Sequence, residues 1–100
     1  MRTPKRELEK IAEAAITDCY DEYEQIAGWC EYLQSTIKLP YKCLVGQKEI
    51  ILTGFDVSKG GSSVLAVVCI DDNEFKVAAE TVTILDKKYS NYLAAYREWL

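Results

Sequence analysis

The sequence predicts an α+β domain: a long, bent N-terminal helix packed on a five-stranded antiparallel SH3-like barrel, closed by a short C-terminal helix. Three observations carry this. Apolar residues recur at helical spacing from Leu8 to Ile37. The period then becomes two, with β-branched residues and turn signals, from Tyr41 to Leu85. A final aromatic run, Tyr89 to Leu100, returns to helical spacing. One hundred residues make a single domain, divided into a helical segment (1–38), a barrel (41–86) and a C-terminal helix (87–100).

The first helix starts at Thr3-Pro4, with Thr as N-cap and Pro at the first helical position. Its stripe is Leu8, Ile11, Ala15, Cys19, Tyr23, Ile26, Cys30, Leu33 and Ile37. Kept straight to Ile37 it would be roughly 50 Å long, wider than so small a domain. A bend is therefore expected, at Gly28, the poor helix former in mid-run, and Pro40 ends the helix. Strands follow at Tyr41–Val45, Glu49–Val57, Val64–Ile70, Phe75–Ala78 and Thr81–Leu85. Ser58-Lys59-Gly60-Gly61-Ser62 is a flexible turn, and Asp71-Asp72-Asn73-Glu74 reads as a tight hairpin turn. Val64–Ile70, apolar nearly throughout, is expected at the centre of the sheet. Tyr92, Tyr96 and Trp99 of the last helix are expected to dock it, against the sheet or against Tyr20, Trp29 and Tyr32, which lie off the first helix's main stripe. The other reading of those three aromatics is a partner surface.

Composition excludes several classes of function. The net charge is −4, with scattered lysines, unlike the basic face of a nucleic-acid binder. No run of about 18 apolar residues suggests a membrane span, and the charged N-terminal segment does not resemble a signal peptide; a cytoplasmic location is expected. Histidine, the commonest general base, is absent, and Gly60-Gly61-Ser62-Ser63 lacks the ending of a phosphate loop, so an enzyme is not expected. Cys19, Cys30, Cys43 and Cys69 show no C-x-x-C spacing and read as reduced core thiols.

The informative stretch is acidic. Between Ile11 and Ile37 stand six acidic residues and no basic one. Asp18, Asp21, Glu22 and Glu24 crowd together, and on one continuous helix like charges three and four apart repel. Asp18, Asp21 and Glu22 flank the apolar stripe, whereas Glu13, Glu24 and Glu31 lie near the opposite pole. Two readings follow: a site for a hard cation such as Ca²⁺, or an acidic surface that faces water. Ca²⁺ requires six to eight oxygens, so a second segment must help. Asp71, Asp72 and Glu74 form one, although Phe75 breaks the EF-hand pattern.

The stretches Asp18-Cys19-Tyr20-Asp21-Glu22-Tyr23-Glu24, Gly28-Trp29-Cys30-Glu31-Tyr32-Leu33 and Leu39-Pro40-Tyr41 resemble a family of small bacterial calcium-binding proteins of cyanobacterial type. The resemblance spans roughly Glu13 to Leu100. It implies an SH3-like barrel and Ca²⁺ bound by clustered carboxylates without EF-hands. Position by position it points to Asp18, Asp21, Glu22 and Glu24, and then to Asp71, Asp72 and Glu74. The expected function is a cytoplasmic calcium buffer or sensor, with calcium ion and a protein as candidate partners. The alternative is a metal-free interaction module built on the barrel.

Overall fold

A computed structural model describes residues 4–100. The expected Thr3 cap lies outside them; Pro4, with extended backbone (ψ 137), holds the cap position itself. The N-terminal segment is two helices rather than one bent helix. α1 runs Lys5–Ala15 and α2 runs Glu22–Thr36. The break falls at residues 16–21, not at Gly28. Its cause is local: Asp18 takes a left-handed conformation (φ 61), and Asp21 caps α2 by accepting from the Glu24 N–H at 2.8 Å. The longest dimension of the domain is 39 Å, so this fold replaces the roughly 50 Å rod that a straight helix would make.

Gly28 instead sits inside α2 where the end of α1 presses on it. A Cβ at Gly28 would stand 2.7 Å from the Ala15 carbonyl oxygen and 2.9 Å from Cys19 Sγ. Glycine here permits close approach of two backbones rather than a bend.

The strands are β1 (Tyr41–Val45), β2 (Lys48–Val57), β3 (Val64–Ile70), β4 (Asn73–Ala78) and β5 (Val82–Thr83). A single 3₁₀ turn, Ala79–Thr81, joins β4 to β5. The sheet is antiparallel in the order β4-β3-β2-β1-β5. β2 is central and β3 lies beside it. An SH3-like barrel is not formed, because no ladder joins β4 to β5 and the sheet stays open. A bulge at Leu52/Gly54 interrupts the β2–β3 register, and there the Phe55 N–H donates to Gln34 Oε1 at 2.6 Å, tying α2 to β2.

α3 (Lys87–Trp99) is capped by Asp86, whose Oδ1 accepts from the Lys88 and Tyr89 N–H groups. α2 lays Ile26, Trp29 and Leu33 on the core, where they meet Leu52, Val64, Ala66 and Val68 of the sheet and Leu93 and Tyr96 of α3. Trp29, placed off the stripe by the sequence reading, is 0% exposed. The break restarts the helical phase, which carries the stripe from Tyr23 (63% exposed) to Trp29. Trp29 touches Tyr96, Trp99 and Tyr32 at ring-centroid distances of 5.4, 5.9 and 6.1 Å, and Tyr32 meets Tyr92 at 5.6 Å. The aromatic docking expected for Trp29 and Tyr32 is thus observed, whereas Tyr20 is 86% exposed. The Tyr96 hydroxyl accepts from the Val64 N–H at 2.9 Å, buried. Arg97 donates to the carbonyls of Glu80 (2.9 Å) and Val82 (3.0 Å), pinning the 3₁₀ turn and β5 to α3.

Candidate metal centre

The first acidic segment is an elbow between two helices. After α1, the Thr17 hydroxyl donates back to the Glu13 carbonyl (2.7 Å) and the Cys19 N–H to the Ile16 carbonyl (3.0 Å). The chain then extends to Asp21. Asp21 caps the helix by accepting from the Glu24 N–H, and Glu24 Oε2 accepts from the Tyr20 N–H, one residue before the cap, at 3.3 Å. The repulsion inferred from one continuous helix is therefore largely absent. Asp18 is not on α2, and Asp21, Glu22 and Glu24 lie at its N-terminus, where the helix dipole favours negative charge.

Still, no lysine or arginine among the described residues pairs with these acids. Among the described residues the ion pairs are Lys42–Glu49 (3.4 Å) and Lys76–Asp56 (2.8 Å), both on the sheet. The Asp18 and Glu22 carboxylates, and one oxygen each of Asp21 and Glu24, stay available. All four residues are exposed.

The second acidic segment is a hairpin turn, as its residue types suggest. Asp71 (φ 49) and Asp72 (φ 66) both occupy left-handed backbone between the paired residues Ile70 and Asn73, the geometry of a type I′ turn. Asn73 Nδ2 donates to the Asp71 carbonyl at 3.3 Å. Glycine suits such positions better than aspartate, so Asp72→Gly is expected to stabilise the fold by about 0.5–1 kcal/mol, read as a raised urea midpoint.

The structure does not bring the two segments together. The N-terminus of α2 faces the other end of β3: Glu22 borders the same groove as Ser62, and the Tyr23 ring covers Gly61 so closely that a Cβ there would clash. Asp71 begins where β3 ends. Seven residues of strand at about 3.3 Å each separate the sites by about 20 Å. One ion is not shared between them. Among the described residues no group of three or more Asp, Glu, Cys or His side chains is gathered around a point that would hold a metal.

Several ionisable groups away from the elbow are shifted by their surroundings. Burial pushes the Cys30 thiol up, helped by Asp56 and Glu31, and burial alone raises Cys43. Raised thiols are poor nucleophiles. Burial likewise raises Tyr32, with Tyr92 adding to it, and Tyr96. The Asp56 carboxyl is held low, first by its hydrogen bond to Lys76. Its contribution to stability is present above the ordinary aspartate range and is lost as pH falls through its folded value.

The fold is a small α+β domain whose elbow exposes four acidic side chains, Asp18, Asp21, Glu22 and Glu24. A family model of the CcbP type, described as calcium binding, matches residues 9–99, and the chain belongs to this family of calcium-binding proteins, not to a family of enzymes. The fold is similar to that of the crystal structure of Anabaena CcbP, with a TM-score of 0.76 at 17% identity over 99% of this chain and 92% of that one. It is also similar to a structure described as a calcium binding protein in the calcium-binding form, with a TM-score of 0.73 at 20% identity over 98% and 90%. No curated protein matches the chain.

Capping and charge are separable at the elbow. Asparagine caps as well as aspartate, so Asp21→Asn is expected to leave the melting temperature in chelator nearly unchanged. Asp21→Ala is expected to lower stability by about 1 kcal/mol.

Proposed function

We propose that this protein binds Ca²⁺ at the elbow between α1 and α2, and acts in the cytoplasm as a calcium buffer or sensor. The observation that carries this is the set of elbow carboxylates with no lysine or arginine partner among the described residues, in a chain belonging to a calcium-binding family. The donors fit the ion in kind, since hard carboxylate oxygens are what Ca²⁺ selects. Asp18 and Glu22 would supply whole carboxylates, and Asp21 and Glu24 the oxygens left free by capping. Main-chain carbonyls and water complete the six to eight ligands Ca²⁺ requires. Because these groups are not gathered beforehand, binding closes the elbow around the ion. Such a change of shape favours the sensor reading over the buffer. Asp71, Asp72 and Glu74 form a separate, weaker site at the far hairpin. The four unbonded cysteines support a reducing compartment.

The test is thermal melting in Ca²⁺ against chelator. At 100 times Kd, binding adds about 2.7 kcal/mol, a rise of roughly 10–20 °C for a domain of this size. Asp18→Asn with Glu22→Gln is expected to abolish the shift, and Asp71→Asn with Asp72→Asn to leave most of it. A shift lost only with the hairpin variant moves the site to the hairpin. No shift in millimolar Ca²⁺ refutes the proposal, and an equal shift with Mg²⁺ reduces it to general screening.

A further inference from the structure

β4 is an edge strand, bonded to β3 on one side only. Its two-residue turn sets the phase of the ladder. Ile70 and Asn73 close the hairpin as a hydrogen-bonded pair, so Val68–Phe75 and Ala66–Val77 are bonded, whereas Cys69–Glu74 and Val67–Lys76 are not. The Val67 carbonyl agrees, for it is turned away from β4 and accepts from the Thr53 hydroxyl of β2 at 3.2 Å. The N–H and C=O groups of Glu74 and Lys76 therefore point outward from the sheet. At Ala78, the next outward position, the carbonyl is taken by the Thr81 hydroxyl at 2.6 Å.

We propose that β4 is a self-pairing edge, on which a second copy of this chain adds antiparallel about a twofold axis at Phe75. Charge selects the register. Hydrogen bonds form only where outward-pointing residues oppose one another, which places Glu74 opposite Glu74, Lys76 opposite Lys76, or Glu74 opposite Lys76. The first two oppose like charges; the third makes an opposite-charge pair twice over. That same register sets Phe75 against Phe75 of the second copy in a non-bonded pair, with Cβ atoms about 4.5–5.5 Å apart. Phe75 is a large apolar side chain left 49% exposed on the core side of the edge, and its counterpart covers it. Lys76 now reaches back across β3 to Asp56, but that pair is exposed to water and Lys76 exchanges it readily for Glu74 of the second copy. The edge is short, so the interface falls below the roughly 1,200 Å² of stable complexes, and association is weak and concentration-dependent.

Sedimentation velocity from low micromolar to millimolar protein tests this, with the fold of each variant checked by melting. Wild type is expected to pass from monomer to dimer. Glu74→Lys alone, or Lys76→Glu alone, turns both pairs into like charges and weakens association about tenfold or more. Mixing the two variants restores pairing between them, since each then meets its opposite, at the mean charge of the wild type. Amide exchange at Glu74 and Lys76 slows as protein concentration rises, while that at Phe75, already bonded to β3, does not change. A monomer throughout, a dimer indifferent to both reversals, or protection elsewhere with Glu74 and Lys76 unaffected overturns the proposal.

Discussion

Trp29→Ala is expected to cost about 3–5 kcal/mol, a large part of the 5–15 kcal/mol that holds a typical domain together. Trp29 joins α2 to α3. It projects from α2, is fully buried, and touches Tyr96 and Trp99 of α3 as well as its own neighbour Tyr32. Truncation would leave a void walled by rigid rings that collapse poorly. The consequence reaches the sheet, because Tyr96 holds the first amide of β3 through its hydroxyl. Trp29→Phe is expected to cost much less. It keeps most of the ring, and the indole Nε1 it removes has no hydrogen-bond partner among the described residues, so no bond to them is lost. Urea unfolding followed by circular dichroism separates the two variants. Equal losses for Phe and Ala would show that the indole N–H, and not the packing, matters.

Gly28→Ala is expected to destabilise, reversing the usual sign. At an ordinary helical position this change gains about 0.5–1 kcal/mol. Here the new methyl group would enter the space of the Ala15 carbonyl and Cys19 Sγ. The sulfur can yield, but the carbonyl belongs to the last turn of α1. Overpacking of this kind costs about 1–3 kcal/mol, so a net loss of about 1–2 kcal/mol is expected. The wedge also pries α1 from α2 and spreads the elbow, so, if the proposed elbow site holds calcium, its affinity falls together with the melting temperature. A melting temperature raised by Gly28→Ala would refute the close approach.

Much of the fold was legible. β1 and β3 have the bounds read from the period-two pattern, α3 matches its aromatic spacing, and Asp71-Asp72 turns where its residue types say it should. The N-terminal half was harder. Ala15, Cys19 and Tyr23 keep a four-residue step across the break, so periodicity continues where the helix does not. The readable signal was Asp21-x-x-Glu24, a capping-box spacing that marks a helix start inside an apparent helix. Missing it displaced the stripe from Trp29 to Tyr23. Glycine drew the bend to position 28, although a glycine is equally a place where another backbone comes near, and only the folded chain distinguishes the two. Barrel closure was not legible, because five short strands satisfy an open sheet as well as a closed one. Asp18, Asp21 and Glu22, read as bordering the buried flank of one helix, are exposed together with Glu24, because the break takes them off that helix. That the two groups stand at opposite ends of β3 depends on how α2 crosses the sheet, which no local spacing encodes.

α1 leans on α3, with Leu8 and Ala12 sharing one groove with Ala95 and Trp99. The first and last helices thus complete each other. On a ribosome, α1 would emerge long before the surface it needs, and its packing must await the synthesis of α3. Joining the two ends by a short tether and opening the chain at the exposed Gly46-Gln47 turn would make α3 and α1 neighbours in sequence. Such a circular permutant makes the α1–α3 contact local and the β1–β2 pairing distant, so its folding rate reports which of the two the folding nucleus needs.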